Sequence, residues 1–168
     1  MSILGALLSR RGLRRLAATG LATTASAGIG AVATTPDEGW YAAAEKPPWQ
    51  PPAIAFPLVW TPLYADLAVT TAAALTRLAD EGRLDEAAAL RRSIAVDLVL
   101  NTGWSVLFWR VRQPWVSTAW CALLAGHATL LTRRVGRVHP GLGAALAPYP
   151  AWCTFATALN ASIARRTT

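Results

Sequence analysis

Apolar residues fall into five long blocks, at about residues 16–33, 53–78, 93–109, 115–132 and 142–164. Each approaches the roughly 20 residues that a helix needs to cross the hydrocarbon core of a bilayer. The first is the weakest, being rich in Ala, Thr and Gly, residues that let neighbouring helices approach closely. The pattern predicts an all-α integral membrane bundle of five transmembrane helices. A basic N-terminal segment at 1–15, a helical domain at 16–164 and a short tail at 165–168 complete the expected organisation. The basic start and apolar block of residues 9–22 also fit a cleavable signal segment, so residues 1–30 carry two readings.

The interruptions are as telling as the blocks. Residues 36–52 predict a loop, and KPPWQPP at 46–52 places four prolines in seven positions. Each proline removes a backbone donor and disfavours helix in the residue before it, so a stiff, extended cover is expected. Pro57 and Pro62 fall near the start of the second block, where Pro62 is the candidate kink. Residues 79–92 predict a charged connection with at most a short surface helix, 110–114 a tight turn, and 133–141 a loop.

Composition agrees with this picture. The 168 residues are 54% hydrophobic and only 15% charged, against about 25% charged in ordinary soluble domains. Eight tryptophans suit membrane interfaces and apolar pockets. The net charge of +7 comes from arginines that flank the apolar blocks, a membrane-edge pattern that excludes the continuous basic face of a nucleic-acid binder. Eleven Lys and Arg flank one set of helix ends and five the other, which puts the N-terminus in the cytoplasm, in a cell-membrane setting. Cys121, Cys153 and His127 lie inside apolar blocks, and no ligand spacing predicts a metal site or any required cofactor. No Ser-His-Asp spacing or Gly-rich phosphate loop predicts a catalytic constellation.

Polar and aromatic residues inside the spans define faces. Asp97, Asn101, Trp104 and Phe108 share one face of the third span, by spacings of four, three and four. Tyr149, Trp152, Ala156 and Asn160 share one on the fifth, and Phe56, Trp60 and Tyr64 form a stripe on the second. These faces read either as walls of a ligand cavity or as helix–helix packing with Asn101 bonded to a neighbouring backbone. Asp66, about 240° around the helix from Trp60, is expected to share a proton with Asp97, to meet another polar neighbour, or to bond a carbonyl in its protonated form.

WYAAAEKPPWQPP, FPLVWTPLYADLA, LNTGWSVLF and PYPAWCTFATALN, in that order, resemble the TspO/MBR family, the tryptophan-rich sensory proteins related to the translocator protein (the peripheral-type benzodiazepine receptor), over about residues 28–164. The resemblance implies a multi-pass receptor or transporter-like protein that binds porphyrins such as protoporphyrin IX, and related hydrophobic ligands, between its helices, with a sensory or stress-regulatory role. It implies a pocket drawn from Tyr41, Pro51, Pro52, Trp60, Tyr64, Asn101, Trp104, Trp152 and Ala156. It also implies a possible homodimer. Two alternatives stand beside it: a light-dependent porphyrin-degrading enzyme acting through Trp60 and Trp152, and a structural protein whose pocket holds lipid. Asp97 stands where many relatives carry Gln, Asp66 where many are apolar, and Pro150 where Leu is usual, which is expected to shift the start of the fifth span. Ala161 follows Asn160 where the sterol-recognition pattern of animal members needs Tyr, so tight sterol binding is not expected.

Overall fold

The computed structural model describes residues 3–34 and 40–167, and every described element is helical. A short α1 (Ile3–Leu8) precedes α2 (Arg10–Ala33), and a single turn, α3 (Trp40–Ala43), leads into the proline-rich segment. Then come α4 (Ala55–Asp80), α5 (Leu84–Val106) with a π-helical extension (Leu107–Val111), α6 (Pro114–Val138), α7 (Pro140–Leu146) and α8 (Pro148–Thr167). Five long units result, α7 and α8 forming the fifth. Helix α2 packs on α4 and α5, α5 on α6, α6 on α7 and α8, and α4 on α7, so the units close into a ring.

Several boundaries differ from the sequence expectations. Helix α2 starts at Arg10, six residues before the apolar block, because Ser9 caps it by accepting from the Gly12 N–H at 3.0 Å. The charged connection at 79–92 shrinks to a tight turn around Gly82 (φ 71°), and residues 84–92 are helical. Asp85 and Glu86 sit in the first turn of α5, where the helix dipole favours them, and Arg83 binds both Glu81 and Glu86. Helix α6 continues through the expected 133–141 loop to Val138. The loop at 36–52 contains the α3 turn, and residues 35–39 lie outside the described residues. The fifth span is broken at Ala147: the prolines at 148 and 150 have no N–H to carry the ladder across the break. Helix α4 runs uninterrupted through Pro62.

By length and composition, Arg10–Ala33, Ala55–Asp80 and Leu84–Val111 are apolar enough to cross a membrane. The remaining units carry Trp115, Trp120 and His127 in α6 and two prolines, Trp152 and Asn160 in α8. These lower mean hydropathy, although indoles favour the membrane interface.

Small residues set the packing. Thr19, Thr23, Ser26, Gly30 and Ala33 form the buried stripe of α2. Thr19 Oγ1 donates to the Ala68 carbonyl at 2.9 Å, and Ser26 Oγ meets Thr102 Oγ1 at 2.8 Å. Buried threonines of α4 satisfy themselves on their own helix, Thr71 on the Leu67 carbonyl (2.6 Å) and Thr76 on that of Ala72 (2.8 Å). Helices α6 and α7 touch at Gly136 and Gly143, where a Cβ on Gly143 would lie 2.6 Å from Gly136 Cα. Backbone cannot yield as a side chain does. Gly143→Val is therefore expected to destabilise the bundle by about 1–3 kcal/mol through overpacking. Gly126→Ala, in open space, should be near neutral, and denaturant titration in mixed micelles compares the two.

Candidate functional site

Inside the ring lies a cavity of about 820 Å³. Each wall follows from helical periodicity. Helix α4 supplies Phe56, Trp60 and Tyr64 at steps of four; α5 and its extension supply Asn101, Trp104, Ser105, Phe108 and Trp109; α8 supplies Trp152, Ala156 and Asn160. Helix α2 adds Ala27, Gly30 and Ala31. The π turn matters here. Arg112 N–H bonds back to the Leu107 carbonyl (3.1 Å), and the widened turn presents the consecutive residues Phe108 and Trp109 to the same cavity. It ends at Arg112, a non-glycine residue at φ 59°.

The rings form a connected lining. Trp60 stacks with Tyr64 (5.4 Å between centroids) and Trp104 (6.4 Å), and Trp104 stacks with Phe108 (5.7 Å). Phe56 meets Trp152 edge-on (6.1 Å). Across the mouth lies the proline-rich segment, with Lys46, Gln50 and Ala53 on the cavity and the Trp49 ring against Phe155 (5.8 Å). Lys46 Nζ sits 4.8 Å from the centre of the Tyr41 ring. Burial raises the Tyr41 hydroxyl above its ordinary pKa, and a hydrogen bond from Gln50 partly offsets this.

Seven of the nine residues singled out in the sequence therefore line one space: Tyr41, Trp60, Tyr64, Asn101, Trp104, Trp152 and Ala156. Pro51 and Pro52 do not. Pro51 is half-buried and Pro52 exposed, and they bracket α4's entry while their neighbours Gln50 and Ala53 face inward.

Beneath the cavity runs a buried polar chain. Tyr64 Oη donates to Asn101 Oδ1 (2.6 Å), Asn101 Nδ2 donates to Tyr149 Oη (3.2 Å), and Tyr149 Oη donates to Asp97 Oδ2 (2.6 Å). His127 Nδ1 meets Asp97 Oδ1 at 3.0 Å, and His127 Nε2 lies 3.4 Å from Ser93 Oγ. Asn101 thus bonds side chains and not a neighbouring backbone. Asp97 does not share a proton with Asp66: its two oxygens are taken by Tyr149 and His127, and Asp66 Oδ2 has no partner. The Ser93–His127–Asp97 contact was invisible as a spacing, because His127 comes from a different helix than the other two. It lacks the backbone donors of an acyl-transfer site, since mid-helix amides are tied up in the helices.

Two buried polar atoms of cavity-lining residues have no protein partner: the donor Trp152 Nε1 and the acceptor Gln50 Oε1. Buried groups of this kind are normally satisfied, so a ligand with both an acceptor and a donor suits the space. Among the described residues no cluster of His, Cys, Asp or Glu could hold a metal ion, and Cys121 and Cys153 are free thiols.

A ring of helices around an aromatic cavity defines a helical membrane protein with an interhelical chamber. The chain belongs to the TspO/MBR family, whose profile matches residues 18–166. It is 30% identical to the tryptophan-rich protein TspO of Chlorobaculum tepidum over 128 residues, 76% of this chain and 79% of that one. It is 32% identical to the tryptophan-rich sensory protein of Cereibacter sphaeroides, covering 80% of this chain and 83% of the relative. The translocator protein of Ovis aries is 32% identical over 72% of this chain and 70% of its own length.

Proposed function

We propose that this membrane protein binds a porphyrin such as protoporphyrin IX, or a similarly large, flat, hydrophobic ligand, in the chamber between its helices, as a receptor in sensing or stress regulation. The aromatic cavity of about 820 Å³ carries the reading. It falls within the roughly 300–1,000 Å³ of small-molecule sites. Its stacked indoles suit a planar conjugated ring, and the propionate groups at the edge of protoporphyrin IX supply acceptor oxygens for the unpartnered Trp152 Nε1. Titrating protoporphyrin IX against tryptophan emission tests it. Saturable quenching near one ligand per chain supports binding; quenching that never saturates removes the receptor reading and leaves a lipid-holding role.

Ala156 is buried on the chamber wall, and its carbonyl already accepts from Asn160 Nδ2 (2.7 Å). A branched residue there intrudes on the ligand. Ala156→Thr is expected to weaken protoporphyrin binding by about 1–3 kcal/mol, with helicity unchanged. Equal affinity in the same titration would remove Ala156 from the site.

Trp60 and Trp152 both touch the chamber, which favours examining light-dependent porphyrin degradation as a second reading. Loss of porphyrin absorbance under illumination, abolished in Trp60→Phe and Trp152→Phe, is what that reading requires. The charge asymmetry supports an orientation with the N-terminus in the cytoplasm and the C-terminus outside the cell membrane. A reporter fused after Thr168 and active only outside the cytoplasm agrees with that orientation.

A further inference from the structure

A second groove, of about 350 Å³, lies between α5 and α6, away from the chamber. Its lining is basic: Arg92 and Arg134 flank it, and Ser93 and His127 lie on it. Neither arginine pairs with a carboxylate among the described residues, although Arg83 and Arg77 nearby both do. Two unpaired guanidinium groups over one groove repel each other unless an anion lies between them. Arg134 Nη1 points to the Ala89 carbonyl at 3.5 Å, so one guanidinium reaches across from α6 to α5.

The floor is held in place. Fully buried Asp97 holds His127 through Nδ1, and Tyr149, itself bonded by Asn101, fixes Asp97 from the other side. With Nδ1 turned to Asp97, the His127 ring presents its Nε2 edge to the groove floor, 3.4 Å from Ser93 Oγ. The Ser93 hydroxyl is the neutral donor of this floor. The groove therefore offers donors and positive charge and no free carboxylate. It lies at the arginine-rich end of the bundle, with Arg91, Arg133 and Arg137 on the same helix ends, the level at which lipid headgroups meet a membrane protein.

We propose that this groove is a binding site for the phosphate of an anionic lipid headgroup, with Arg92 and Arg134 as paired cations and the Ser93 hydroxyl as the floor donor. Arginine forks match phosphate oxygens in charge and geometry. The site is separate from the porphyrin chamber and stands whether or not that chamber binds porphyrin.

The test uses the full chain in a neutral detergent at low salt, with the thermal unfolding midpoint as readout. Short-chain phosphatidylglycerol should raise the midpoint saturably, and short-chain phosphatidylcholine should not. The double variant Arg92→Gln/Arg134→Gln should weaken the apparent affinity for phosphatidylglycerol at least about tenfold. Arg133→Gln/Arg137→Gln, which removes the same charge outside the groove, should change it less than about twofold. All four arginines are at the protein surface, so both variants are expected to fold. Equal losses in the two variants, equal responses to the two lipids, or no saturable response would overturn the site. Saturation by inorganic phosphate at the same or lower concentration would overturn the headgroup as its source.

Discussion

Tyr149→Phe is expected to destabilise the bundle by about 2–4 kcal/mol, a large loss for one oxygen atom. Tyr149 is fully buried, and its hydroxyl links two helices: it donates to Asp97 and accepts from Asn101. Removing it leaves a buried carboxylate oxygen and an amide N–H without their partner, in a place where water cannot substitute. The ring remains, so the chamber floor keeps its shape and its edge contact with Trp60. Because the cost arises from Asp97, the double variant Tyr149→Phe/Asp97→Asn should cost less in total than the sum of the two single changes. Denaturant titration of helicity in mixed micelles measures all four proteins. Full additivity, or no loss in the single variant, would mean that the two groups do not depend on each other.

Trp60→Ala should weaken protoporphyrin binding by about 2–3 kcal/mol, roughly 30- to 150-fold. The figure follows from about half of the 150–250 Å² an indole buries, at about 25 cal/mol per Å². Trp60 is the ring on which the lining is centred, touching Tyr64, Trp104 and Tyr149. Trp60→Phe keeps a ring and should lose less. Trp115→Ala, at an exposed indole outside the chamber, should leave affinity unchanged. A titration by porphyrin absorbance, independent of tryptophan emission, separates the three.

The membrane bundle and most of the chamber were legible in the sequence because both depend on periodicity. Phe56, Trp60 and Tyr64 lie four apart, and Asn101, Trp104 and Phe108 alternate by three and four, so the side chains had to share faces. What escaped were contacts between helices. His127 read as one histidine in an apolar block, yet the crossing of α5 and α6 sets it against Asp97 and Ser93. Asp66 and Asp97 read as possible partners because an unpaired carboxylate inside a span is costly; the tertiary fold gave Asp97 a tyrosine and a histidine instead. Helix ends were misplaced where charge was taken for loop. Arg133, Arg134 and Arg137 extend α6 because arginine is a good helix former whose long stem keeps its charge at the membrane edge. The π turn at Leu107–Val111 left no signal beyond the proline that follows it.

The central claim, that ligand enters the chamber between the helices, is tested most directly by thiol protection at its wall. Ala156→Cys places a thiol on the buried lining, Arg165→Cys places one on the exposed end of the same helix, and the native Cys121 and Cys153 are fully buried. The claim predicts that saturating protoporphyrin IX slows maleimide labelling at position 156 and leaves position 165 unchanged. Unaltered labelling at 156 under saturating ligand, or equal slowing at both positions, would contradict it.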